Sequence, residues 1–236
     1  MSTGIAGIRA ELRRGADPDK ARDLQWFFKT GPGEYGEGDI FLGVCVPAVR
    51  RLAGKYRDLP LDEAVALLLS PIHEERLLAL CILVGQYENG DERLRGRIYR
   101  LYLENVCRIN NWDLVDGSAP HIVGRHLERR SRAPLYRLAK ARSLWKRRIA
   151  IMATFHFLRQ GDFRDLFALA DLLLNDREDL IHKAVGWMIR EVGNRNPGAA
   201  EAFLKGRCQR MPRTMLRYSI EKFPEEKRRR YLLGDT

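Results

Sequence analysis

Long apolar runs are missing from this sequence. None of its 236 residues fall in a stretch approaching the roughly eighteen apolar residues that a membrane-spanning helix requires. The N-terminal segment has no charged stretch followed by an apolar one, so no secretory signal is expected. Cysteine is scarce: Cys45, Cys81, Cys107 and Cys208 form no C-x-x-C pair, and none has a histidine at ligand spacing. Cys81 and Cys107 lie in apolar runs and read as small buried hydrophobes. The five histidines are scattered, and His121 and His126 are five apart, off a common helical face. A reduced cytoplasmic protein without metal or cofactor is the expectation. Strand signals are also lacking, because no alternating apolar–polar stretches lie between hairpin turns. Finally, acidic residues are outnumbered, 31 against 42 basic, and the net charge of +11 points to a polyanionic partner.

What is present is helical periodicity, close to 3.6 residues almost throughout. It predicts helices near 5–14, 18–29, 47–57, 61–69, 74–87, 92–109, 112–128, 133–141, 144–159, 163–174, 179–193, 198–206 and 212–222. Four glycines and a proline make 31–39 a loop, either an interhelical connection or a lid. Segments 73–79, 144–150 and 180–186 resemble one another, with a weaker copy at 211–216, at intervals of about 35 residues. Each period holds two helices. That pattern predicts an all-α fold: an α-α superhelix, a HEAT-like solenoid forming a single domain over 1–236 with a concave face. A basic residue near the start of each second helix is expected to line one side.

The charge is concentrated. Between His121 and Gln160 stand eleven basic residues and one acid, Glu128, a surplus of +10. Arginine forks match phosphate oxygens, so phosphate binding is the natural use; an acidic protein partner is the alternative. The run 227–230 reads as a solvated tail. Just before the basic window come Trp112, Asp113 and Asp116. Trp112 and Asp116 share a helical face at i,i+4. A carboxylate among so many cations either orients an arginine or stabilises positive charge on a substrate. Trp112, Trp145 and Trp187 are spaced by 33 and 42 residues, near one repeat each. They either pack in the core or line a substrate-facing patch.

Trp-Asp-Leu-Val-Asp at 112–116, Trp-x-x-Arg at 145–148, Lys-Ala-Val-Gly-Trp-Met-Ile-Arg-Glu at 183–191 and Phe-Leu-Gly-Val-x-Val-Pro at 41–47 stand in this order. Together they resemble the AlkD family of DNA alkylation-repair glycosylases, over nearly the whole chain. The resemblance implies a HEAT-like solenoid acting on double-stranded DNA and excising cationic alkylated purines (3-methyladenine, 7-methylguanine) without flipping the base. By position, it implies that Asp116 is the catalytic carboxylate and that Trp112 and Trp187 pack against the lesion's deoxyribose. It implies DNA contacts from Arg148 and Arg190. Phe27 falls where the family can have a tyrosine near DNA, so a hydroxyl is lost there. Arg147 and Lys183, beside these positions, are further candidate DNA contacts. Lys183 is the nearest candidate for a Schiff-base nucleophile; otherwise no lysine stands out, so a monofunctional, monomeric hydrolase is expected. A non-catalytic solenoid that binds damaged or branched DNA is the rival reading.

Overall fold

A computed structural model describes residues 4–235, and they are helical, with no strand among them; one isolated parallel bridge joins Ile40 and Ile72. None of these helices is long and apolar enough to cross a membrane. The chain divides into two compact units, 1–122 and 123–236.

The first unit contains α1 (Ile5–Arg13), α2 (Pro18–Phe27), α3 (Val46–Lys55), α4 (Leu61–Leu68), α5 (His73–Asn89), α6 (Glu92–Glu104) and the short α7 (Trp112–Asp116). Helix α5 is its centre and packs against α3, α4, α6 and α7. Leu78, Ala79, Ile82 and Leu83 of α5 are buried at helical spacing. Local chemistry sets the ends. Asp17 caps α2 by accepting from the amides of Asp19 and Lys20, with Pro18 in the first turn. Asp91 caps α6 through the Leu94 amide at 2.7 Å. Gly43 has φ of 81°, and a Cβ there would lie 2.1 Å from the Asp17 carbonyl oxygen, so only glycine lets the 41–45 segment pass.

The second unit contains α8 (Ala133–Ala139), α9 (Leu144–Ala153), α10 (Phe155–Leu158), α11 (Arg164–Leu172), α12 (Asp179–Gly193), α13 (Pro197–Leu204), α14 (Arg213–Ser219) and α15 (Glu225–Leu233). Its centre is α12, packed against α9, α11, α13 and α14. The α12–α14 approach is close: a Cβ on Gly186 would meet the Met215 carbonyl oxygen at 2.5 Å. The four repeat copies found in the sequence fall at the starts of α5, α9, α12 and α14, as the repeat pattern predicts.

Several expected elements are interrupted, each for a local reason. The 92–109 helix stops at Glu104, where the Asn105 side chain donates to the Leu101 carbonyl at 2.8 Å; a 3-10 turn, Val106–Arg108, follows. The 112–128 helix stops at Asp116. Pro120 has no N–H to extend it, and a π-helical turn, Pro120–Gly124, takes over. The 144–159 helix breaks at Thr154, whose hydroxyl donates to the Ile151 carbonyl at 2.6 Å. Residues 227–230 are not a tail: they lie in α15, anchored by the buried Tyr231 beside Phe223. Cys107 is exposed and Cys81 half-buried, contrary to their reading as core residues.

Candidate active site

In the first unit the site is built on α7. Asn111 is its N-cap, and the Asn111 Oδ1 accepts from the Trp112 amide at 2.8 Å. The Trp112 ring stacks on Phe28 (5.2 Å between centroids, 20° between planes). Phe28 stacks on Phe41 at 5.0 Å, and Phe41 on the His73 imidazole at 4.4 Å. Phe27 meets Trp112 edge-on at 6.1 Å and is 54% exposed. The structure thus brings together two residues that the sequence proposes for the site, Phe27 and Trp112.

Beneath this aromatic pile lies a buried charged cluster. His73 is 2% exposed, with Nε2 2.8 Å from Asp113 Oδ2 and Nδ1 3.2 Å from Asp39 Oδ2. Asp39 Oδ1 accepts from Arg76 Nη2 at 2.6 Å, and Asp39 Oδ2 from Asn111 Nδ2 at 3.3 Å. Arg76 also donates to the Ser70 and Pro71 carbonyls, both at 3.1 Å. Burial pushes the His73 imidazolium toward deprotonation, but hydrogen bonds to Asp113 and Asp39 outweigh it and lift the pKa to about 8. Burial likewise pushes the Asp39 carboxyl up; the His73 hydrogen bond and the Arg76 charge win and hold it below its ordinary value. The other oxygen of Asp113, Oδ1, is buried and meets no donor among the described residues. The next two residues of α5 face elsewhere. Glu74 accepts from the amides of Leu42, Gly43 and Val44, and Glu75 pairs with Arg9 at 2.8 Å and Arg13 at 3.2 Å.

Asp116 is the last residue of α7, one turn from Trp112, and half-buried. The sequence places it in the first turns of a long helix, whose dipole would favour its charge. With the helix ending at Asp116, that contribution is absent. The far end of α7 is held by Ser118, which donates to the Leu114 carbonyl at 2.5 Å and lies 2.9 Å from the Tyr102 hydroxyl. Burial pushes the Tyr102 phenol well above its ordinary range, and the nearby Asp116 charge adds to the shift.

In the second unit, Lys183, Trp187 and Arg190 sit on α12 at helical spacing. Trp187 is half-buried, 6.3 Å from the Phe155 ring, and its indole N–H donates to Glu191 at 3.3 Å. Arg190 pairs with Glu221, and Lys183 with Asp179 at 2.8 Å. On α9, Arg148 is only 4% exposed and donates to the Leu180 carbonyl at 2.6 Å. Arg147 is bound to Asp176 at 2.6 Å and donates to the Ala141 and Arg142 carbonyls. Arg132, another member of the basic window, binds Asp162 and Asp165. The repeat-aligned cations were expected to line one side, but Arg76 is buried and Arg147 ion-paired, so intramolecular carboxylates have claimed both.

The model of a family described as "DNA alkylation repair enzyme" matches residues 8–223. The chain belongs to that family. This DNA alkylation repair family acts on DNA, which agrees with the excess of positive charge. A solved structure described as "Predicted DNA alkylation repair enzyme from Enterococcus faecalis" is similar in fold, with a TM-score of 0.67 at 15% identity, covering 89% of this chain and 97% of that one. It bears out the all-α repeat architecture. Comparison with curated proteins finds no match. Within this family member, sequence reading missed the Asp39–His73–Arg76–Asp113 cluster and Glu191. The available signal was the His-Glu-Glu-Arg run at 73–76, four polar residues opening a helix that is then apolar as far as Val84.

Proposed function

We propose that this DNA alkylation repair enzyme is a monofunctional glycosylase for cationic alkylated purines, 3-methyladenine and 7-methylguanine, in double-stranded DNA. The observation that carries the reading is the pairing of Asp116 with Trp112 on one turn of α7, in a chain of this family. An N3- or N7-alkylated purine is already a cation and a good leaving group, so no acid is needed to protonate it; a single carboxylate suffices, where an ordinary glycosidase needs two. As the C1′–N bond lengthens, its electron pair leaves with the base, and positive charge moves to the deoxyribose. Ionised Asp116 stabilises that charge and orients a water whose oxygen bonds to C1′. The water's proton passes to Asp116 or to solvent, leaving an abasic site and a neutral free base. Trp112 and Trp187 add cation–π attraction and exclude water.

In this reading the protein acts as a monomer, and its basic surface holds the duplex. Phe27 packs at the DNA surface beside Trp112, while Arg190 and Lys183 meet phosphates from α12. Arg148, with little surface open, contributes an edge of its guanidinium, and Arg147 serves chiefly to tie the 141 and 142 carbonyls to Asp176. No base pocket is required, so lesion charge sets selectivity and neutral damaged bases are poor substrates.

The test is release of free 7-methylguanine from alkylated DNA by the wild type and by Asp116→Asn. The variant is expected to lose at least about a hundredfold in rate, with DNA binding kept or improved because a negative charge near phosphate is gone. Binding without release by the wild type would place the protein among binding-only solenoids.

A further inference from the structure

The segment 111–113 is closed into a ring of contacts. Asn111 holds the Trp112 amide with its Oδ1 and Asp39 with its Nδ2. Asp113, on the other side of Trp112, bonds to His73. His73 in turn bonds to Asp39, which completes the circuit. The Trp112 ring itself rests on Phe28, then Phe41, then the His73 imidazole. Both the backbone and the ring of Trp112 are therefore referred back to one buried imidazole. We propose that His73 is a positioning residue for base excision: through Asp113 and Asp39 it clamps Trp112, and with it the α7 turn that ends at Asp116, in the geometry the reaction uses. The inference rests on the glycosylase reading above.

The chemistry of imidazole makes the clamp conditional. Both ring nitrogens face carboxylate oxygens. An imidazolium donates to both; a neutral imidazole has one N–H, and its bare nitrogen then faces an oxygen lone pair. Asp39 from the 31–39 loop and Asp113 from α7 favour the cation, and Arg76 from the same helix as His73 opposes it. Phe28 and Phe41 contribute no charge. Glu74 and Glu75, next along α5, are committed to the 42–44 amides and to Arg9 and Arg13. Since burial is outweighed and the pKa lies at about 8, the clamp is closed at neutral pH and opens as the pH rises.

The test is single-turnover release of 7-methylguanine from pH 6 to 9.5, corrected for spontaneous loss, for the wild type and Asp113→Asn. A histidine one unit above its pKa is about one-tenth protonated, so the wild-type rate is expected to fall about tenfold between pH 7 and pH 9. In Asp113→Asn the carboxamide can donate to a neutral His73 that still donates to Asp39, so the alkaline fall is expected to shrink to less than about twofold. Nitrogen NMR of the ring, on protein without DNA, should show both His73 nitrogens protonated at pH 7. A neutral His73 at pH 7, or an unchanged alkaline fall in the variant, would overturn the proposal. If neither protein releases base at any pH, the glycosylase reading fails. The positioning of α7 is then decided by Trp112 fluorescence, which must change between pH 7 and 9 in the wild type and stay constant in Asp113→Asn.

Discussion

Helices α5 and α12 are the centres of their units and open with copies of the same repeat, yet they fill it differently. At the start of α5, His73, Glu74, Glu75 and Arg76 are all at most 2% exposed, and each is bound to residues outside its own helix. At the start of α12 the charge pairing is local, Lys183 to Asp179 at i,i+4, and both side chains are about half exposed. The rest of the α12 inner face, Ile181, Ala184, Val185, Met188, Ile189 and Val192, is fully buried and apolar. Buried charges are directional and costly to leave unpaired, so they specify one arrangement of the segments they join; apolar packing does so less sharply. In the first unit that directionality falls on the loop 31–44 and on α7.

The comparison is most sharply broken by removing one partner of the buried cluster. Arg76→Met should strip Asp39 of its guanidinium and cost about 3–5 kcal/mol in a denaturant melt; a loss within 1 kcal/mol would mean the cluster is not cohesive. In the second unit, packing should be the weak point. Gly186→Ala forces a methyl toward the Met215 carbonyl and the Tyr218 Cβ, 2.5 and 2.6 Å away, and should cost up to about 3 kcal/mol. A neutral or stabilising result would show that α14 can shift freely. The pH dependence comes next. His73 has a folded pKa of about 8, above its ordinary 6.5. The stability it supplies is therefore fully present below 6.5 and lost as the pH rises through 8, about 2 kcal/mol in all. Melts at pH 6 and pH 9, compared between wild type and Asp113→Asn, measure it. The smallest effect is expected at an exposed pair of the second unit, Arg207 with Asp171. Arg207→Ala should change stability by less than about 1 kcal/mol and less still at high salt.

The helical architecture and the positions of the repeats were legible in the sequence because each helix carries its own apolar period. Helix ends were less so. Those at Glu104, Asp116 and Ala153 are set by side chains bonding back to carbonyls (Asn105, Thr154) or by a missing donor (Pro120), and such competition leaves the apolar period unchanged. Of the candidate site, the sequence proposes Trp112, Phe27 and Asp116, and the structure brings Phe27 and Trp112 together. The cluster beneath them was not, because Asp39, His73 and Asp113 lie 34 and 40 residues apart and no spacing rule connects them. The basic window misled in one respect. Counting charge over 121–160 cannot show that Asp162, Asp165 and Asp176, just outside it, neutralise Arg132 and Arg147.

The circuit through His73 also bears on the order in which the protein can be made. Helix α7 has five residues, too few to hold a helical turn in isolation. Its anchors reach back 72 residues to Asp39 and 40 to His73. On a ribosome, Asp39, His73 and Arg76 emerge long before the segment that completes their cluster, and His73 lacks its second carboxylate until residues 111–113 arrive. Closing those loops is then a late, entropically demanding step. Trp112 and Asp116 take their places in that same step, so a chain in which those loops are still open has no assembled site.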